Sequence, residues 1–334
     1  MFIIDNYPLA VFFCIITMLC WGSWANTQKM ASQKWPFQLF YWDYSLGILL
    51  ITLIFALTLG SIGDEGRNFI VDLKQAKMDN LNSAFLGGVI FNFANLLLVI
   101  AIEIAGMAIA FPIGIGIALI LGVFTNYLVQ PEGDPIVLFC GVMLVTFAII
   151  IDGIAYKKIL QNTKEKPIKG ILFSAAAGVA MGFFYKYVTA SMTSDFVSPE
   201  SGKLTPYSAL VIFSFGILIS SFLFNTINMY RPFSGEKVSF KDYFIMGTSK
   251  LHFIGILGGV IWGIGMSFNI IASEQAGPAI AYGLGQGATL VAAIWGVFIW
   301  KELKELPKKN NWLIPMMFFL FIAGIGTIIA AKLI

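Results

Sequence analysis

"LGGVIFNFANLLLVIAIEIAGMAIAFPIGIG", residues 86–116, returns 171 positions later as "LGGVIWGIGMSFNIIASEQAGPAIAYGLGQG", residues 257–287, with fifteen of the thirty-one positions identical. Shared hydrophobicity alone would not align the glycines and the acid of both copies, so the chain contains an internal repeat. Each copy is an apolar run, a Glu-x-Ala-Gly break at Glu103 or Glu274, and a second apolar run. The match extends loosely to the first span of each half, where "CWGSWANTQKMAS" from Cys20 aligns with "AMGFFYKYVTAS" from Ala180.

The 334 residues around this repeat are 58% hydrophobic and 12% charged, with a mean hydropathy of +0.84. That composition excludes an ordinary soluble domain. Runs near the ~20 residues needed to cross a bilayer recur along the whole chain, which predicts an all-α polytopic membrane protein. Ten spans are expected, at about 8–24, 37–59, 83–102, 107–129, 135–155, 169–189, 207–227, 251–271, 278–300 and 311–331. Unbroken apolar stretches exclude an outer-membrane barrel. "MFIIDNY" has no basic segment ahead of its first apolar run, so that run reads as a retained helix rather than a signal peptide.

Residues 1–155 form a first five-helix repeat, 156–168 a short basic cytoplasmic connection, and 169–334 a second five-helix repeat. Because five is odd, the second half enters the membrane with opposite orientation, giving a 5+5 inverted repeat of the secondary-transporter kind. Connections after odd-numbered spans hold about 15 Lys and Arg, against about 5 elsewhere, which places both termini outside. The net charge of +3 follows from this asymmetry and does not argue for nucleic acid.

Cys14, Cys20 and Cys140 lie inside spans with no metal-ligand spacing, and the single histidine, His252, reads as an interfacial surface residue at a helix entrance. No metal and no cofactor is expected, and "GLGQGA" is no dinucleotide fingerprint because no strand precedes it. The chain also lacks HExxH, a Ser/His pair, paired acids at one depth and GxxxxGK[ST], so it does not read as an enzyme.

Inversion puts Glu103 and Glu274 on opposite membrane faces, roughly 30 Å apart, so they cannot form one paired-carboxylate site. Each precedes a helix start, and the reading put first is a helix cap that meets the positive end of the helix dipole. A gate at either mouth and proton coupling are the alternatives.

Depth sorts the remaining polar residues. Asn92, Asn95 and Gln286 lie close to the midplane, where they bind an uncharged polar ligand or bond other helices. Asp43, in "FYWDYSLG", is an intramembrane acid and so a functional candidate, with Tyr44 beside it as a donor. Lys186 is a further candidate, although its stem can snorkel. Trp21 in "CWGSW" could form an aromatic wall.

The helix pattern resembles the drug/metabolite transporter superfamily. More narrowly, "YWDYSLGILLITLIFALTLGSIG", residues 41–63, is similar to the second helix of the ureide permease family. On that resemblance Asp43 and Tyr44 take family positions, and Gly60, Ile62 and Gly63 close the helix. The glucose/ribose uptake porters share the general plan. Plant ureide permeases carry a long hydrophilic central connection, whereas this chain has only "YKKILQNTKEKPIKG", so a regulatory role for that loop does not carry over. Many members of the superfamily have cytoplasmic termini, the opposite of what the charge count gives here.

The expected function is a permease in the plasma (inner) membrane that takes up a small neutral polar metabolite by alternating access. A ureide or nucleobase comes first and a monosaccharide second; a drug/metabolite efflux pump is a third reading. Protons are the candidate coupling ion, with Asp43 their first site, and a homodimer is a possible assembly.

Overall fold

The computed structural model describes residues 1–31, 34–159, 168–233 and 236–334. Most of the expected basic connection, residues 160–167, lies outside them. Among the described residues ten helices are long and apolar enough to cross a membrane, and none of the structure is sheet. The all-α architecture with ten candidate spans therefore holds.

The first span is α1 (Tyr7–Ser23), opened by the Asn6 side chain accepting from the Leu9 amide, and continued past Trp24 as α2 (Ala25–Ala31). Next come α3 (Phe37–Leu57), a short surface helix α4 (Phe69–Gln75), α5 (Met78–Ala105), α6 (Met107–Val129) and α7 (Pro135–Ile159). The second half holds α8 (Ile168–Ser191), α9 (Pro206–Tyr230), the short α10 (Phe240–Met246) and α11 (Ser249–Ala276). Its ninth span is broken into α12 (Pro278–Gln286), α13 (Ala288–Ile294) and a π turn, Trp295–Ile299; α14 (Leu313–Ala330) ends the fold.

The observed spans overrun the expected ones where polar end-turns fall outside an apolar window. Expected spans 83–102 and 251–271 run to Ala105 and Ala276, so Glu103 and Glu274 sit in the last turn of α5 and α11. Each helix stops at a glycine with positive φ, +78° at Gly106 and +82° at Gly277, a conformation that a side chain would strain. This corrects the capping expectation. The caps of α6 and α12 are these glycines, and no side chain caps either start.

Helix pairing decides where the polar centre lies. In a bilayer, close approach comes from small residues at crossings. A side chain at Gly47 or Gly259 would strike the facing backbone between α3 and α11, and one at Gly88 or Gly216 would do so between α5 and α9. α5 also lies on α8, and α11 on α1. These pairings are unchanged when the first five spans are exchanged for the second five.

Candidate functional site

The helices enclose a cavity of about 590 Å³ that runs from mid-span to the basic face. Its walls are aromatic. Trp21 of α1 stacks on Trp262 of α11 with centroids 5.8 Å apart and planes 10° from parallel. The Trp21 indole N–H donates to the Trp262 carbonyl at 3.3 Å, which fixes the ring against α11. Phe91 (4.4 Å from Trp262) and Phe184 close the inner end.

Into this box project amides. Asn95 lines the cavity and donates to the Tyr41 hydroxyl at 3.3 Å, while the Gln286 amide, where α12 breaks, makes no hydrogen bond to the described residues. The glycines of "GLGQG" are where this span breaks.

Asn92, predicted alongside Asn95, is turned away. Its amide donates to Ser220 Oγ at 2.7 Å and accepts from the Tyr41 hydroxyl at 2.8 Å, tying α5 to α9 and α3. Tyr44 is fully buried behind the wall, its ring 4.8 Å from that of Trp24. Lys186 lies over the Phe183 and Tyr187 rings of its own helix, outside the cavity.

Asp43 also lies outside the cavity. It is 1% exposed, accepts from the Tyr243 hydroxyl, and lies 3.0 Å from Nδ1 of His252. The surface reading of His252 is therefore corrected: its ring is held between this carboxylate and Trp35. A lone histidine near a helix entrance gives no sequence signal of an acid 209 residues away. Burial and the bond to Asp43 push the Tyr243 phenol well above its ordinary range, so it stays a donor.

On the opposite face the connection between α8 and α9 is tied down. Arg67 donates to the carbonyls of Pro199 (2.7 Å), Glu200 (3.1 Å) and Lys203 (3.2 Å), and pairs with Asp72. Asp72 in turn accepts from the Thr205 amide at 2.8 Å. Glu274 joins this closure by accepting from the Phe196 amide at 2.6 Å. Glu103, its counterpart in the repeat, is exposed at the cavity mouth with no hydrogen-bond partner among the described residues.

The ureide permease family model matches residues 40–167 and 154–331. The chain belongs to the ureide permease family. Ureide permeases 1 and 2 of Arabidopsis thaliana are 23% and 22% identical to it, each alignment covering 99% of both chains. A Streptococcus pyogenes serotype M1 protein with a provisional sugar-uptake name is 21% identical over 91% of this chain and 93% of its own. One crystal structure shares the fold with a TM-score of 0.61 at 14% identity, covering 97% of this chain and 96% of that one. The protein is thus a multi-pass membrane transporter.

In this member of the family, sequence reasoning missed the polar rim of the cavity. The Glu302 carboxylate pairs with Lys29 and accepts from the Tyr156 hydroxyl, and the Trp300 indole donates to Asn26 at 2.6 Å. Asp152 lines the same wall. "KELKELPKK" reads as a cluster of basic charge, and only the turn at Gly296 brings Glu302 back over the cavity. Among the described residues no three His, Cys, Asp or Glu side chains are grouped to hold a metal.

Proposed function

We propose that this ureide permease takes up a small, neutral, planar polar metabolite, a ureide or nucleobase, by alternating access between its two inverted halves. The observation that carries the reading is the cavity itself. The parallel Trp21 and Trp262 rings offer a flat apolar wall, and Asn95 and Gln286 bring both donors and acceptors to it. The inner end of the lining is aromatic or amide, and its charged residues, Lys29, Glu103, Asp152 and Glu302, stand towards the basic face.

Access would alternate because the closures differ at the two faces. On one face Glu274 and Arg67 hold residues 193–205 down, while on the basic face, which the charge bias puts inside, the cavity is open. The reading includes the plasma (inner) membrane as location, protons as coupling ion, and a homodimer as a possible assembly, which native electrophoresis in mild detergent measures.

A monosaccharide is the second reading. Aromatic walls also suit sugar rings, and the Streptococcus relative has a sugar-uptake name. A thermal-shift screen of the purified protein against ureides, nucleobases, pentoses and hexoses separates the two, since a ligand of the folded state raises its apparent stability. Stabilisation by sugars alone would replace the ureide reading.

A further inference from the structure

We infer that Asp152, on α7, carries the coupling proton. The inference rests on the transport reading above and moves the coupling site away from Asp43, whose carboxylate is already engaged by Tyr243 and His252 outside the cavity.

Asp152 is in the wall of the central cavity, and neither of its carboxylate oxygens accepts a hydrogen bond from the described residues. Its Oδ1 is shut off from solvent as well. A buried carboxylate without a donor is costly in a membrane protein, and such residues commonly mark ion and proton pathways. A metal ion would need several oxygen ligands. The neighbourhood offers Asp152 a second acid instead of a ligand set, because Glu302 is its electrostatic neighbour.

The charges around it are few. α6 and α14, which pack on α7, contain no acidic or basic residue. Tyr156 is one turn along α7 towards the basic face and already donates to Glu302, whose other oxygen is paired with Lys29. Glu103, at the mouth, lines the same cavity. Glu302 is therefore compensated by Lys29 and Tyr156, while Asp152 is left to exchange a proton with water that enters the cavity. The step is balanced: the carboxylate takes one proton from water at one face to become a carboxylic acid, and returns it to water at the other. In this conformation the exchange is with the basic face.

Reconstituted protein tests this with radiolabelled allantoin, a ureide, and radiolabelled ribose. With ~1 pH unit imposed across the vesicle, a one-to-one proton symporter accumulates its substrate about tenfold. The wild type should reach that level with one probe. Asp152→Asn should stop at equal concentrations inside and out while keeping exchange of internal for external probe, which shows that it is folded. Asp152→Glu should restore accumulation. Gradient-driven accumulation by Asp152→Asn at the wild-type level would overturn the assignment. Acid-induced infrared difference spectra give a readout that needs no substrate: a protonated-carboxyl band lost in Asp152→Asn supports the assignment, and an unchanged spectrum sinks it. Failure of both probes to move would count against the substrate reading alone.

Discussion

Asp43 and His252 come from opposite halves of the chain and meet 3.0 Å apart at the basic end of α3 and α11. Removing the imidazole leaves a carboxylate that is 1% exposed with Tyr243 as its remaining donor. His252→Ala should lower stability by about 1–3 kcal/mol, read as a fall in melting temperature in detergent, with substrate affinity unchanged.

The Tyr243 phenol titrates above its ordinary value in the fold, first through burial and then through its bond to Asp43. A raised folded-state value means that its contribution is complete below the unfolded value near ~10 and is lost only as pH rises through the folded one. The destabilisation caused by Tyr243→Phe should therefore be flat from about pH 6 to 9 and shrink only in strong alkali, as measured by thermal unfolding across pH. A change near neutrality would contradict this.

Asn92 and Asn95, one turn apart on α5, should separate when substituted. Asn92→Ala breaks bonds to Ser220 and Tyr41 and should cost about 1–3 kcal/mol of stability, with little change in apparent affinity per folded molecule. Asn95→Ala should retain most of the stability and lose substrate binding, measured by titration of purified protein.

Trp21→Ala should weaken binding by about 0.5–1.5 kcal/mol, roughly two- to tenfold, the worth of one aromatic face. Trp21→Phe should recover part of it.

Glu274→Ala removes the acceptor of the Phe196 amide. Hydrogen exchange at residues 193–198 should quicken by about tenfold for each ~1.4 kcal/mol lost. Unchanged exchange would mean that the Arg67 bonds hold this closure alone.

The ten spans were legible because an apolar run of bilayer length is a one-dimensional signal, and the repeat was legible because both copies keep the same glycines and acid. Of the residues that line the cavity, Asn95 and Gln286 were singled out by depth and chemistry and Trp21 by its aromatic ring. Depth alone could not separate Asn95 from Asn92, since which side of α5 meets α9 is set by Gly88 and Gly216 across the interface. Asp43 drew attention as a charge within a span, while the partners that occupy it, Tyr243 and His252, come from about 200 residues along the chain. Asp152 and Glu302 stood among charges near a helix end and in a basic connection, and only the fold turns them towards the cavity.

The glycine crossings also bear on how such a permease would move. At Gly47–Gly259 and Gly88–Gly216 backbone rests on backbone with no side chain between. Contacts of that kind can pivot without any rotamer having to change or any side chain having to unlock. Of the helices joined at these two fulcrums, α5 and α11 line the cavity while α3 and α9 stand behind them, so a tilt that pinches the basic mouth would spread the opposite one. A methyl group at either bearing would jam the rocker and leave the binding pocket itself untouched.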